Sequence, residues 1–329
     1  MRFKEMVKNQ RWVAYAVIFI ILLFVPRLLS IHDLMLFEYG LTFAIVGLGF
    51  NLLLGYTGLL SFGHGAYFAA GAYTVGMIAK YLPAAYSLEI LIPAALLFSF
   101  ILSIIFGFLC VRHTKIFFSI LALSLSMLLY ALLFKLYHLT GGSDGLRIPL
   151  PSLVGISFKG IRRPEFLSGT YYYVLLVLFA FSCIIMRGIV TSPFGKALQA
   201  IRDNEVRAEL IGIRVRRYRL YAFCISGMFV GLGGALWTFV NGHVTADLSH
   251  WVFSGEIVYM TLLGGFGIFE GPIIGAIIFT YLKLYAMGNT QYWMFVIGAT
   301  LIVLVLLLPN GIAGAFANLG TKIRTKKGV

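Results

Sequence analysis

Apolar stretches that approach the length of a membrane span recur ten times along this chain, and no other feature constrains its fold so tightly. A spanning helix needs about 20 mostly apolar residues. Within lipid, only helices and closed barrels satisfy their own backbone polar groups. Hydrophobic residues make up 60% of the 329, charged residues 12%, and the mean hydropathy is +0.94. Soluble domains carry about 45–50% apolar and about 25% charged residues, so a soluble enzyme and a disordered tail are both excluded. The sequence predicts an all-α polytopic membrane protein forming one domain over 1–329.

The first expected span, Trp12–Val25, follows a basic opening (Arg2, Lys4, Lys8, Arg11) that mimics a signal peptide. Pro26-Arg27-Leu28-Leu29-Ser30 offers no small-x-small cleavage site, so this is read as an uncleaved span. The others fall near Tyr39–Leu54, Leu59–Ala79, Leu88–Val111, Ile116–Leu139, Tyr171–Met186, Leu220–Val240, Gly255–Phe266, Pro272–Met287 and Tyr292–Leu308. The second, third, eighth and ninth are short and Gly-rich.

Ten spans place both termini on one side. With that side inside, the inner segments 1–11, 112–115, 187–219 and 309–329 hold 4, 2, 8 and 4 Lys/Arg. The outer loops hold six: Arg27, Lys80, Arg147, Lys159, Arg162 and Arg163. Basic residues stay in the cytoplasm, so both termini are expected there. The net charge of +14 is therefore topological and calls for no nucleic acid. Cys110, Cys183 and Cys224 lie in or beside spans, and an odd number in apolar settings argues against a disulfide framework.

Two loops exceed the length of a simple connector. The outer loop, 140–170, opens Thr140-Gly141-Gly142-Ser143-Asp144-Gly145 and carries Pro149, Pro151 and Pro164. It is either a docking surface or a passive loop. The inner loop, 187–219, suggests two short helices broken near Asp203, with Asp203 or Asn204 capping the second, Glu205 in its first turn and Gly212 ending it. It is either a docking element or a basic surface held by lipid headgroups.

The chemistry of catalysis is missing. There is no Gly-x-x-x-x-Gly-Lys-Ser/Thr phosphate cradle, no His-Glu-x-x-His and no Gly-x-Ser-x-Gly turn. The six His show no metal-ligand spacing. Polar residues inside spans are functional by default. The candidates to line a path are Asn51, His64, Tyr67 and Glu256, with a hydrogen-bonded packing role as the alternative. Glu89 and Lys135 are near outer span ends, and Lys283 is inside a span. Glycines four apart let helix backbones approach; Gly227 with Gly231, and Gly267, Gly271 and Gly275, are expected to serve as packing contacts.

Several segments taken in order carry a resemblance. They are Gly49-Phe50-Asn51-Leu52-Leu53-Leu54-Gly55-Tyr56-Thr57-Gly58, Ser61-Phe62-Gly63-His64-Gly65-Ala66-Tyr67, Gly71-Ala72-Tyr73 and Thr140–Gly145. Ser192-Pro193-Phe194-Gly195-Lys196-Ala197 through Gly212-Ile213 follow. Leu263-Gly264-Gly265-Phe266-Gly267, Gly271-Pro272-Ile273-Ile274-Gly275-Ala276 and Pro309-Asn310-Gly311 complete the series. Over roughly 40–315 the chain resembles the membrane subunits of ABC importers for branched-chain amino acids, in their longer M-type form.

The resemblance implies an ABC importer permease fold and no cofactor on this chain, with ATP and Mg bound by partner subunits. The implied partners are a second homologous permease, two cytoplasmic ABC ATPases and a periplasmic substrate-binding protein. It also implies an ATPase-coupling helix in the inner loop, where Asp203, Asn204, Glu205, Arg207, Ala208, Glu209 and Gly212 fall. Ala208 and Gly212 match the importer EAA-type motif; Val206 and Arg207 depart from the small and acidic residues that precede it there. Cargoes in such relatives include urea, short amides and aromatic acids as well as leucine, isoleucine and valine. The contrasting expectation is an ion-coupled secondary transporter that works without an ATPase.

Overall fold

The computed structural model describes residues 2–315 except 114, 154, 157, 159 and 309, and for 2–14, 115 and 305 the backbone only. The helices begin with α1 (Arg2–Leu28), α2 (Ile31–Thr57), α3 (His64–Tyr81), α4 (Leu88–Cys110), α5 (Lys115–Lys135) and the single turn α6 (Tyr137–Thr140). A two-residue strand β1 (Leu146–Arg147), α7 (Arg163–Phe166), α8 (Tyr172–Thr191), α9 (Pro193–Asp203) and α10 (Glu205–Leu210) follow. The chain closes with α11 (Val215–Asn241), β2 (His243–Val244), α12 (Trp251–Gly264), α13 (Gly271–Asn289) and α14 (Trp293–Leu307).

Six of these helical stretches are long and apolar enough to cross a membrane: 31–57, 88–110, 116–135, 163–191, 215–241 and 271–289. Tyr15–Leu28, Trp251–Gly264 and Trp293–Leu304 are shorter apolar helices. The eighteen residues of α3 are diluted by Gly, Ala and Tyr and sit largely inside the bundle. The ten expected spans therefore map onto ten helices of fourteen residues or more, with shifted ends.

Each shift has a local cause. The second helix starts at Ile31, not Tyr39, because Ser30 caps it, accepting from the Asp33 N–H at 3.2 Å. It ends at Gly58, whose positive φ of 73° closes the helix. The eighth begins at Trp251 and stops before Gly265, at φ 102°. The outer loop is shorter than 140–170, because Arg163–Phe166 and a π-helical turn at Leu167–Tyr171 lead straight into α8. Likewise 187–191 and 215–219 belong to α8 and α11, leaving 192–214 as the inner loop proper. Of the expected inner segment 309–329, only 310–315 lie among the described residues.

The centre of the bundle is α2 crossed with α11, flanked by α3, α4 and α13. Glycine explains how the backbones come so close. A side chain at Gly71 of α3 would collide with the Gly231 carbonyl of α11, and one at Gly234 with the Phe68 carbonyl. One at Gly49 would lie 2.5 Å from Phe229 Cβ. Lipid tails are as apolar as leucine, so this close packing, more than hydrophobic burial, holds membrane helices together.

The bundle has two distinct ends. At one, the α6–β1 segment meets the end of α11: β1 pairs antiparallel with β2, Leu146 opposite Val244. Tyr86 donates to the Pro149 carbonyl at 2.9 Å, and Leu88 N–H to the Ser152 carbonyl at 3.0 Å. The other end carries α9, α10 and the 58–63 and 265–270 turns.

Candidate functional site

The 192–214 loop folds as two short helices in series. Ser192 caps α9 by accepting from the Gly195 N–H at 3.3 Å, and Pro193 occupies the first turn. Gly195 packs directly on the Val190 backbone. Leu198 and Ile201 are buried, and Phe194 stacks on Tyr218 of α11 with ring centres 5.5 Å apart. The helix breaks at Asn204, in extended conformation. Asn204, not Asp203, caps α10, accepting from the Arg207 N–H at 2.9 Å; Asp203 is the last residue of α9 and faces Arg202.

The end of α10 is a Schellman closure. Ile213 N–H donates to the Ala208 carbonyl at 3.0 Å and Gly212 N–H to the Glu209 carbonyl at 2.9 Å, with Gly212 at φ 89°. Ala208 is buried and Arg207 and Glu209 are exposed.

Two contacts tie this element to the core. Arg219, in the first turns of α11 and only 7% exposed at its side chain, donates to both carboxylate oxygens of Glu205 at 2.7 and 2.8 Å. Arg202 donates to the Gly55 carbonyl at the end of α2, and its stem covers Gly58. Thus α10 is fastened to α11 and α9 to α2, the two central helices. Val206 and Leu210 of α10 and Ile211 just after it are left at 67%, 83% and 71% exposure. Neither the clamp nor this apolar surface is foreseen by helical spacing: Glu205 and Arg219 are fourteen residues apart, and two large apolar residues on a six-residue helix with a third just after it fit a core face equally well.

The expected path residues fall in two places. Asn51, His64 and Tyr67 are buried in the core. His64 Nε2 lies 2.9 Å from Ser226 Oγ, and its ring is met edge-on by Phe50, Tyr67 and Phe223. Asn51 Oδ1 has no hydrogen-bond partner among the described residues and packs against Gly55. Glu256 differs: on α12 it takes both hydrogen bonds of the Lys283 ammonium, at 2.7 and 2.6 Å, and keeps some exposure. A buried carboxyl at Glu38, which sequence reading passes over, has neither oxygen bonded among the described residues. Its signal was available, since an acidic residue within a span is a default candidate.

The packing glycines divide as well. Side chains at Gly227 and Gly231 would strike Ser103 Oγ and Ser99 Oγ of α4. Gly271 and Gly275 meet the backbone at Gly265 and Met260. Gly267 is corrected: it stands in the turn between α12 and α13, and a side chain there would meet nothing within 4 Å. Among the described residues no group of three His, Cys, Asp or Glu could hold a metal ion.

At the other end, Thr140–Gly145 forms a fixed turn. Thr140 Oγ1 donates to the Leu133 and Leu136 carbonyls, Tyr137 donates to Asp144 at 2.8 Å, and Gly141, Gly142 and Gly145 take positive φ. The bond to Asp144 raises the Tyr137 hydroxyl above its ordinary range. The turn borders a pocket lined by Lys80, His138, Asp144 and Arg147, among others.

Comparison with known proteins follows the same outline. The family described as the permease component of the branched-chain amino acid transport system matches residues 34–305. LivM of Escherichia coli, a high-affinity branched-chain amino acid transport system permease protein, is 28% identical over 289 residues, 82% of this chain and 67% of its own. LivH of Salmonella typhimurium, from a system of the same description, is 24% identical over 297 residues, 84% and 92% of the two chains. The ribose import permease RbsC of Haemophilus influenzae is 26% identical over 145 residues, 42% and 44%. No solved structure matches.

Proposed function

The chain belongs to the branched-chain amino acid transport permease family, and on that premise we propose that it is the M-type membrane subunit of an ATP-driven importer for leucine, isoleucine and valine. Its partners in this reading are a second permease, two cytoplasmic ATPases that bind ATP and Mg, and a periplasmic binding protein that delivers cargo. Both termini and the 192–214 loop face the cytoplasm of a bacterial inner membrane, in keeping with the Lys/Arg asymmetry.

One observation carries the reading: α10 is pinned on one side and apolar on the other. The exposed face of Val206, Leu210 and Ile211 suits a cleft on an ATPase, since a large apolar patch in water marks a partner site. The pinned side suits force transmission. When the ATPases close, a push on α10 passes through Glu205 and Arg219 to α11, and through α9 and Arg202 to the end of α2. These two helices form the centre of the bundle, so tilting them repacks the whole. The two-fold seam with the second permease then opens to one side and then to the other. The Thr140–Gly145 turn, braced by Tyr137 and β2, gives the binding protein a rigid surface.

The cargo assignment follows extent of likeness: the branched-chain permeases cover 82–84% of this chain, the ribose permease 42%. The test is reconstitution with all partners in vesicles. Uptake of labelled leucine should require ATP and the binding protein. Accumulation driven by an ion gradient in vesicles holding this chain alone would refute the reading.

A further inference from the structure

The short helix α12 packs mainly on α13 and α2, touches α14 and α5 more lightly, and keeps one face open. Val252 and Tyr259 are exposed there, and a side chain at Gly255 would meet nothing within 4 Å. Glu256 stands on the same turn, joined to Lys283 of α13, whose ammonium lies 5.6 Å from the Trp293 ring centre. The pair is not sealed, its side chains being 12% exposed at Glu256 and 24% at Lys283. A buried ion pair is weak as a stabilising device, and ionisable groups within spans face cavities and substrate paths.

From this geometry we infer that the Glu256–Lys283 pair recognises the zwitterionic end of an amino acid. A zwitterion docked antiparallel to the pair sets its carboxylate against the Lys283 ammonium and its ammonium against the Glu256 carboxylate. Four charges then close in a ring of zero net charge, each with an opposite neighbour, in a medium where such contacts are stronger than in water. Gly255, itself buried, has nothing within 4 Å of a side-chain position, so there is space beside the pair. Val252 and Tyr259, one turn to either side of Glu256, offer apolar surface to an aliphatic side chain. A molecule with one charge satisfies half of the site. The inference rests on the importer reading above and adds the place where its cargo is recognised within the membrane.

The test uses the complete importer in vesicles. Glu256→Gln together with Lys283→Met removes both charges and keeps the volume, a replacement that folding usually tolerates. Assembly, followed by size-exclusion chromatography, should persist while leucine uptake falls at least tenfold. Uptake within twofold of the unaltered complex overturns the inference and leaves the importer reading standing. If the unaltered complex accumulates no leucine, both fall. A second measurement does not depend on how that variant folds. Val252→Cys, at an exposed position of the same face, is labelled in the otherwise native complex with a methanethiosulfonate reagent, over the background of the three native thiols. Millimolar leucine should slow labelling at least threefold, while isoamylamine and 4-methylpentanoate, with one charge each, should not. Equal slowing by all three, or by none, overturns the inference.

Discussion

Glu205→Ala isolates the clamp between the loop helices and the core. In the native chain two hydrogen bonds of 2.7 and 2.8 Å join Glu205 to Arg219, whose side chain is 7% exposed against 38% for Glu205. Removing one partner of a fully buried pair costs about 3–5 kcal/mol, because the other charge is left unpaired. Here water reaches the pair from the Glu205 side, so we expect about 2 kcal/mol. That is roughly a thirtyfold shift from the docked to the undocked position of α10. The burial also sets an order. Arg219→Met strands a half-exposed carboxylate and should cost less than Glu205→Ala, which strands a buried guanidinium. The double variant should regain assembly but not coupling, since the mechanical link is still absent. The assay is leucine taken up per ATP hydrolysed by the reconstituted complex, read beside thermal stability in detergent. Unchanged uptake per ATP in Glu205→Ala, or a larger stability loss from Arg219→Met, would refute the reasoning.

The other predictions probe the loop closure and the packing. Gly212→Pro removes an N–H that donates at 2.9 Å and cannot adopt φ 89°, so it should uncouple hydrolysis from uptake while the protein still inserts; coupled transport at the native ratio would count against α10 as the docking element. Gly271→Leu drives a side chain into the Gly265 carbonyl and should destabilise by about 3 kcal/mol or more. Gly267→Ala, in open space, should stay within about 0.5 kcal/mol of the native melting behaviour; equal losses at both positions would contradict the packing described. His64→Ala opens a cavity among Phe50, Tyr67 and Phe223 and should cost about 3 kcal/mol with the leucine KM unchanged. A raised KM without lost stability would assign His64 to the path.

The features legible in the sequence are those set by neighbours in the chain. A twenty-residue apolar run dictates a helix in lipid whatever surrounds it, and Asn204 capping α10 with Gly212 closing it is decided within a few residues. Contacts between elements have no such local mark. Gly267, Gly271 and Gly275 share one spacing, yet a turn intervenes after Gly264, and only the latter two lie on a helix. The spacing rule presupposes a continuous helix, and Gly265 at φ 102° breaks it.

The same distinction explains why the polar residues divided as they did. An Asn or His within a span needs a partner, and a neighbouring helix can supply one as readily as a ligand can. For His64 the partner is Ser226, 162 residues away, and aromatic rings pack edge-on around it. Glu256 and Lys283 satisfy each other across α12 and α13, but on a face that no other helix covers completely. Partial exposure weakens the tie and leaves both charges open to an incoming dipole. In the Glu205–Arg219 clamp water reaches only the carboxylate and the guanidinium is covered, whereas here the ammonium as well as the carboxylate keeps some exposure.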